Sequence, residues 1–147
     1  MILPDVNVLI NAFRPEMIEH SRCYRWLQSV VDDRAPFGVS PLSVRAVVRV
    51  TTNRRTWNAP SSIEDAFRFC NYLLHQPNCQ IVEPCGQHWH VFERLCSETN
   101  TRGPDVTDAW YAALAIEWGC EWITLDRGFA RFPGLRWRLP EAPESRR

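Results

Sequence analysis

The sequence predicts an α/β domain in which helices cover both faces of one largely parallel β-sheet. Short apolar runs recur along the chain, separated by longer segments with helical periodicity. The 147 residues suit one domain, and 45% of them are hydrophobic, which is enough to fill a core. Strands separated by helices pair in parallel, because each crossover helix returns the chain to the same end of the sheet.

The first half of the chain alternates strand and helix. An apolar strand at 1–3 runs into a helix through residue 13, and an amphipathic helix covers 16–31. A second strand at 35–40 precedes Pro41, a favourable first residue for a helix over 41–53. The expected core contacts of the 16–31 helix are Ile18, Tyr24, Leu27 and Val31.

The second half repeats the alternation. Helices are predicted at 61–76, 86–98 and 104–119, and strands at 79–84, 120–126 and, more weakly, 135–140. The apolar stripe of the 61–76 helix carries Ile63, Ala66, Phe67, Cys70 and Leu74. We expect a single domain over residues 1–140 and a polar tail over residues 141–147.

The amino-acid composition limits the classes of function that the chain could have. The seventeen basic residues are all arginine and balance seventeen acidic ones, so any nucleic-acid contact needs a local basic patch. The absence of lysine argues against receiver domains and haloacid-dehalogenase-type phosphotransferases, which need one beside the phosphoryl group. Six cysteines without a CxxC pair, and no leader-like start, favour a reducing cytoplasm. No apolar run reaches the roughly 18 residues that span a membrane.

Three acids fall where a site could form. Asp5 follows the first strand and Asp126 ends the fourth, and the carboxyl ends of parallel strands meet at one edge of a sheet. Asp108 lies in the first turns of the 104–119 helix, beside small alanines that let this helix approach the sheet. We therefore expect the three carboxylates to converge.

Converging carboxylates repel one another unless a cation lies between them. A hard divalent ion such as Mg²⁺, or Mn²⁺, takes oxygen ligands and can activate water beside a phosphate. The pattern therefore favours a metal-dependent phosphodiesterase. Each acid also has a structural alternative: Asp5 as a helix cap, Asp108 at the positive end of its helix and Asp126 at the start of a turn.

Three segments carry a family resemblance: MILPDVNVLINAF, VSPLSVRAVVRVTTN and TDAWYAALAIEWGCEWITLDRGFARFPGLRW. In this order and spacing the chain resembles the PIN-domain ribonucleases, specifically the VapC toxins of bacterial toxin–antitoxin pairs. The resemblance implies a three-layer α/β/α PIN-like domain with a central parallel sheet of four to five strands. It also implies an endoribonuclease that binds Mg²⁺ or Mn²⁺ and cuts RNA, commonly tRNA or rRNA.

The resemblance assigns roles to individual residues. Asp5, Asp108 and Asp126 match family acids, which makes them the expected catalytic residues and metal ligands. Asn7 and Thr124 match supporting polar positions beside them. The family's second acid falls on Ala46, and a further acid of many members falls on Gly128. Metal binding is therefore expected to be weaker than usual, or lost.

The expected partners are an RNA, a VapB-like antitoxin and a second copy of the chain. Four arginines flank the predicted pocket and are the candidates for phosphate contacts, namely Arg45, Arg49, Arg102 and Arg127. Spare apolar groups on the helices at 16–31 and 61–75 favour a protein interface.

Two alternative functions stay open at this point. Because Ala46 replaces an acid, the chain could be a catalytically weakened PIN-fold protein that binds RNA or a partner. It could also be a small α/β interaction domain whose acids only cap helices.

Overall fold

The centre of the computed structural model, which describes residues 1–143, is a five-stranded sheet. Its strands are β1 (Ile2–Pro4), β2 (Phe37–Val39), β3 (Cys79–Ile81), β4 (Glu121–Ile123) and β5 (Trp137–Arg138). Every pairing is parallel, and the order is β3-β2-β1-β4-β5. The parallel sheet expected from the sequence is confirmed, and the weakly predicted fifth strand is present.

Helices cover both faces of this sheet. They are α1 (Val6–Phe13), α2 (His20–Asp32), α3 (Pro41–Thr51), α4 (Ile63–Leu74), α5 (His88–Thr99) and α6 (Val106–Trp118). One core cluster joins the sheet to α5 and α6, and the other joins it to α1 to α4. Trp122 belongs to the first and Ile123 to the second, because successive strand residues point to opposite faces. The three-layer α/β/α architecture is therefore confirmed.

Local sequence signals fix several helix ends. Ser40 and Ser62 cap α3 and α4, and their hydroxyls accept hydrogen bonds from the N–H groups of Leu42 and Asp65. Gly119 ends α6 with φ +64°, a left-handed conformation that glycine adopts without steric cost.

Two predictions about helix faces are wrong in part. Residues 15–19 form turns and α2 begins at His20, so Ile18 is 98% exposed and Tyr24 is also exposed. On α4 the buried residues are Ala66, Cys70 and Leu73, whereas Ile63 and Phe67 face outward. In both segments an apolar residue on the outward side also fits the helical period. The period alone does not show which side of the helix faces the sheet.

The C-terminal part of the described chain returns to α2. The Nε of Arg22 donates a hydrogen bond to the carbonyl of Pro140 at 2.9 Å. Of the predicted polar tail at 141–147, residues 144–147 lie outside the described residues. Across residues 1–143, none of the helices has the length and apolar character to cross a membrane.

Candidate active site

The site lies at the carboxyl edge of the sheet, between β1 and β4. From β1 the chain adds β2 and β3 on one side and β4 and β5 on the other. In an open parallel sheet a crevice forms at such a switch in strand order. Asp5 follows β1 directly, and its N–H donates to the carbonyl of Ile123 at 2.8 Å. Asp5 and the end of β4 are therefore held side by side.

Asp5 does not act as a helix cap. It occupies the residue before α1, but its side chain makes no capping hydrogen bond. Its Oδ2 instead accepts a hydrogen bond from the hydroxyl of Thr124 at 2.6 Å. Asp5 is only 7% exposed. This carboxylate is thus turned toward the end of β4 and away from solvent, which argues against the capping alternative.

Thr124 connects three parts of the site. Its Oγ1 accepts hydrogen bonds from the Nδ2 of Asn7 at 3.2 Å and from the backbone N–H of Asp126 at 3.0 Å. The Oδ1 of Asn7 accepts a further bond from the N–H of Leu125 at 3.2 Å. The structure therefore places Asn7 and Thr124 beside Asp5, and together they fix the chain that leads to Asp126.

The environment of Asp5 disfavours its charge. Burial raises its pKa from the ordinary 3.8 to about 6, and the charges of Asp108 and Asp126 add to the rise. The hydrogen bonds from Thr124 and from the backbone N–H of Val6 oppose it. The carboxylates of Asp108 and Asp126 therefore lie near enough to act on the charge of Asp5.

Asp126 and Asp108 lie on the open side of this site. The Oδ1 of Asp126 accepts a hydrogen bond from the N–H of Gly128 at 2.8 Å, as the turn alternative expected. The Oδ2 of Asp108, on the first turn of α6, accepts one from Nη2 of Arg131 at 3.0 Å. The second oxygen of each carboxylate has no hydrogen-bond partner among residues 1–143.

Arg131 is the residue that the sequence reasoning missed. It is the last residue of the short 3-10 helix Arg127–Arg131, which follows Asp126. Its Nη1 donates to the carbonyl of Gly128 at 2.6 Å, and its guanidinium lies 4.3 Å from the ring centre of Phe132. The sequence does hold a signal, since TLDRGFARF places Arg131 five residues after Asp126. Arg127 is nearer to Asp126 in sequence and fits the same pattern.

The arginines chosen from the sequence lie around the site but make no ion pair in the described chain. Arg45 and Arg49 are exposed on α3. Arg102 is exposed before α6, and Arg127 is exposed at the start of the short 3-10 helix that follows Asp126. Burial raises the pKa of the Tyr111 phenol; the charge of Asp5 adds to this, whereas Arg49 and Arg45 oppose it. The α3 arginines are therefore close enough to act on the same region.

The donor chemistry suits a hard divalent ion. The three acids offer only carboxylate oxygens, the ligands that Mg²⁺ and Mn²⁺ prefer. In the present arrangement, however, the described chain holds no group of three Asp, Glu, His or Cys side chains gathered closely enough to bind a metal. Asp108 and Asp126 point toward Arg131 and Gly128, so both would reorient to join Asp5 around an ion.

Comparisons with known proteins agree on the family. The PIN domain family model matches residues 2–135. Over 140 residues the chain is 39% identical to Ribonuclease VapC43 of Mycobacterium tuberculosis, covering 95% of each chain. It is 36% identical to Ribonuclease VapC25 of the same species, covering 92% of this chain and 96% of the relative.

Solved structures share the fold at low sequence identity. VapBC2 from Rickettsia felis, bound to a promoter DNA fragment, has a TM-score of 0.70 at 16% identity, covering 95% of this chain and 98% of that one. VapBC-1 from nontypeable Haemophilus influenzae has a TM-score of 0.67 at 14% identity, with the same coverage. The family model and the sequence relatives together show that the chain belongs to the PIN domain family and, within it, to the VapC group.

Proposed function

We propose that this protein is the metal-dependent endoribonuclease toxin of a type II toxin–antitoxin pair. The observation that carries the proposal is the buried carboxylate of Asp5 at the strand switch, bonded to the Thr124 hydroxyl that also accepts from the N–H of Asp126. Relatives that match 92–95% of the chain bear the name ribonuclease, which supports catalysis over the non-catalytic alternative.

Asp5, Asp108 and Asp126 would hold a Mg²⁺ or Mn²⁺ ion. When bound, the ion supplies a water of lowered pKa and neutralises charge that develops on a phosphate. The protein's own part is to position the ligands. Thr124 and Asn7 keep the Asp5 carboxylate in one orientation at the end of the sheet. Asp108 and Asp126 would complete the set from the first turn of α6 and the residues after β4.

The proposed substrate is RNA, in particular tRNA or rRNA. The net charge of the chain is zero, so binding of the RNA phosphate backbone depends on local arginines. Arg45, Arg49, Arg102 and Arg127 are exposed, and none of the four is paired with a carboxylate of the described chain, although the Nε of Arg102 donates to Oδ1 of Asn100 at 3.1 Å. Each would contribute affinity that falls as salt rises, and none reads the base sequence by itself.

The proposed protein partner is a VapB-like antitoxin. Fold neighbours include VapBC complexes, and α4 exposes apolar side chains that a partner would cover, among them Ile63, Phe67 and Tyr72. A groove of about 510 Å³ between α3 and α4 continues this surface, with Arg45 and Arg49 at its rim. A homodimer is also expected, and light scattering of the purified protein tests it.

Expression in bacteria tests the function directly. Wild-type protein should arrest growth, and Asp5→Ala should relieve the arrest while accumulating to the same level. Purified protein with Mn²⁺ should cut bulk tRNA or rRNA, and EDTA should stop it. Equal arrest by the wild type and Asp5→Ala would refute cleavage as the cause. The product of a short reading frame upstream, if it is the antitoxin, should copurify and restore growth.

A further inference from the structure

Arg131 occupies an unusual place in the candidate site. Its guanidinium binds Asp108 across 23 positions of sequence, so the contact is tertiary and not a product of the local turn. The four arginines chosen from the sequence lie around the rim, whereas Arg131 touches one of the three acids. Both side chains of this ion pair are about one-third exposed, at 34% for Arg131 and 32% for Asp108.

Three contacts direct the guanidinium toward the acids. Nη2 binds Asp108, Nη1 binds the carbonyl of Gly128, and the Phe132 ring lies beneath the planar group. A Cβ on residue 128 would lie 3.2 Å from Nη1 of Arg131 and 2.9 Å from Oδ1 of Asp126. Glycine at position 128 therefore leaves the room that the arginine uses.

Charge balance indicates what the arginine does when the site is filled. Three carboxylates and one divalent ion leave a net charge of −1, which repels a phosphodiester. One guanidinium makes the site neutral before RNA binds. An arginine also presents five N–H donors in a planar fork that suits phosphate oxygens, and only part of this fork is used by Asp108 and Gly128.

We propose that Arg131 contacts the phosphate that is cut, and that it rests on Asp108 until a divalent ion takes that carboxylate. This inference rests on the proposed function and names a further catalytic residue for it. In the metal-free protein Arg131 compensates the charge of Asp108. Released from Asp108, the guanidinium would face the phosphate and stabilise the charge that develops during attack.

The test compares Arg131→Ala with the wild type and with Arg138→Ala. Arg138 is a matched control because its side chain also pairs with a carboxylate, that of Glu121 at the first residue of β4, at 2.7 Å. The substitution keeps the carbonyl of residue 138, which accepts from the N–H of Thr124. Calorimetric titration of Mn²⁺ without RNA should show equal or up to about 5-fold tighter binding for Arg131→Ala, because a competing cation is gone. Arg138→Ala should bind Mn²⁺ as the wild type does.

Cleavage of bulk bacterial tRNA and rRNA in Mn²⁺ gives the second readout. Arg131→Ala should lower kcat about 100-fold, and Arg131→Lys should recover part of the loss. Unchanged cleavage would overturn the assignment. Weaker Mn²⁺ binding that accounts for slower cleavage would also overturn it, because Arg131 would then only orient Asp108.

Failure of the proposed function has a different signature. Wild-type protein that binds Mn²⁺ but leaves RNA intact would refute the ribonuclease. The anisotropy of a fluorescein-labelled 20-nucleotide RNA would then decide the role of Arg131 alone. Arg131→Ala should lose affinity for this RNA in Mn²⁺ but not in EDTA, where the arginine is tied to Asp108. Equal loss in both, or no loss, would overturn the inference.

Discussion

Asp5 and Asp108 belong to the same candidate site but differ in how the fold holds them. Asp5 is buried, hydrogen-bonded to Thr124 and linked through it to Asn7; these three residues form the buried half of the site. Asp108 is partly exposed and paired with Arg131, and with Asp126 they form the exposed half. The buried half is fixed by the sheet, whereas the exposed half depends on side chains that solvent can reach.

This difference in burial has consequences for both stability and activity. A buried carboxylate with a raised pKa destabilises the folded protein at neutral pH, so its presence indicates a function that outweighs that cost. The exposed acids add little to stability in either direction, because solvent screens their charges. We therefore expect changes in the buried half to affect both stability and activity, and changes in the exposed half to affect activity alone.

The largest expected effect is the loss of metal and cleavage in Asp5→Asn. The amide keeps the shape of the side chain but removes the negative charge around which the other ligands gather. Mn²⁺ affinity in calorimetry and RNA cleavage should both fall by more than about 100-fold. Asp105→Asn, a change of an exposed acid one turn before Asp108, serves as the control and should retain both.

Asp5→Asn should also make the folded protein more stable at neutral pH. The pKa of Asp5 is about 6 in the folded state, against the ordinary value of 3.8 that applies to the unfolded chain. The folded state therefore binds this proton more tightly than the unfolded state does. Protonation of Asp5 therefore adds to the unfolding free energy at low pH, by up to about 3 kcal/mol. This contribution is lost as the pH rises toward and through 6.

Urea unfolding in EDTA measures this effect. The gain in unfolding free energy of Asp5→Asn over the wild type should be larger at pH 7.5 than at pH 5, by about 1 kcal/mol. A variant that is less stable than the wild type at both pH values would contradict the burial penalty.

Thr124→Val tests the support of the buried half. Valine has nearly the same shape but leaves the Asp5 oxygen, the Asn7 amide and the Asp126 N–H without their shared partner. We expect a loss of about 1–3 kcal/mol of unfolding free energy in urea denaturation. Since the Thr124 bond lowers the pKa of Asp5, Mn²⁺ binding should also shift to higher pH.

Thr124→Ser is the matched control, because it keeps the hydroxyl and removes only a methyl group. It should preserve the pH profile of Mn²⁺ binding. An identical shift in both variants would mean that packing around residue 124, and not its hydroxyl, sets the behaviour of Asp5.

The smallest expected effect on stability belongs to Asp108→Asn. Its ion pair with Arg131 is about one-third exposed on both sides, so water and salt screen it. The unfolding free energy should change by less than about 1 kcal/mol, while Mn²⁺ binding and RNA cleavage are lost. A large loss of stability would show that the exposed half is also part of the structural framework.

The sequence predicted much of the fold because its signals are local. Ser40 and Ser62 mark helix starts, Gly119 marks a helix end, and short apolar runs between helices predict a parallel sheet. The exposure of Ile18 and Phe67 was not predictable in this way. Ile18 lies in the turns before α2. The spacing of Phe67 suits a buried stripe, but only the position of the neighbouring elements decides which side of α4 is covered.

By itself the sequence determined the order of strands and helices and the placement of Asp5 and Asp126 at strand ends, because these follow from residues near one another along the chain. The tertiary structure alone decided that Asp5 is buried against Thr124, 119 residues away, and that Arg131 pairs with Asp108. Burial and long-range pairing depend on how distant segments pack, and packing sets the local dielectric environment and the charges that each carboxylate meets.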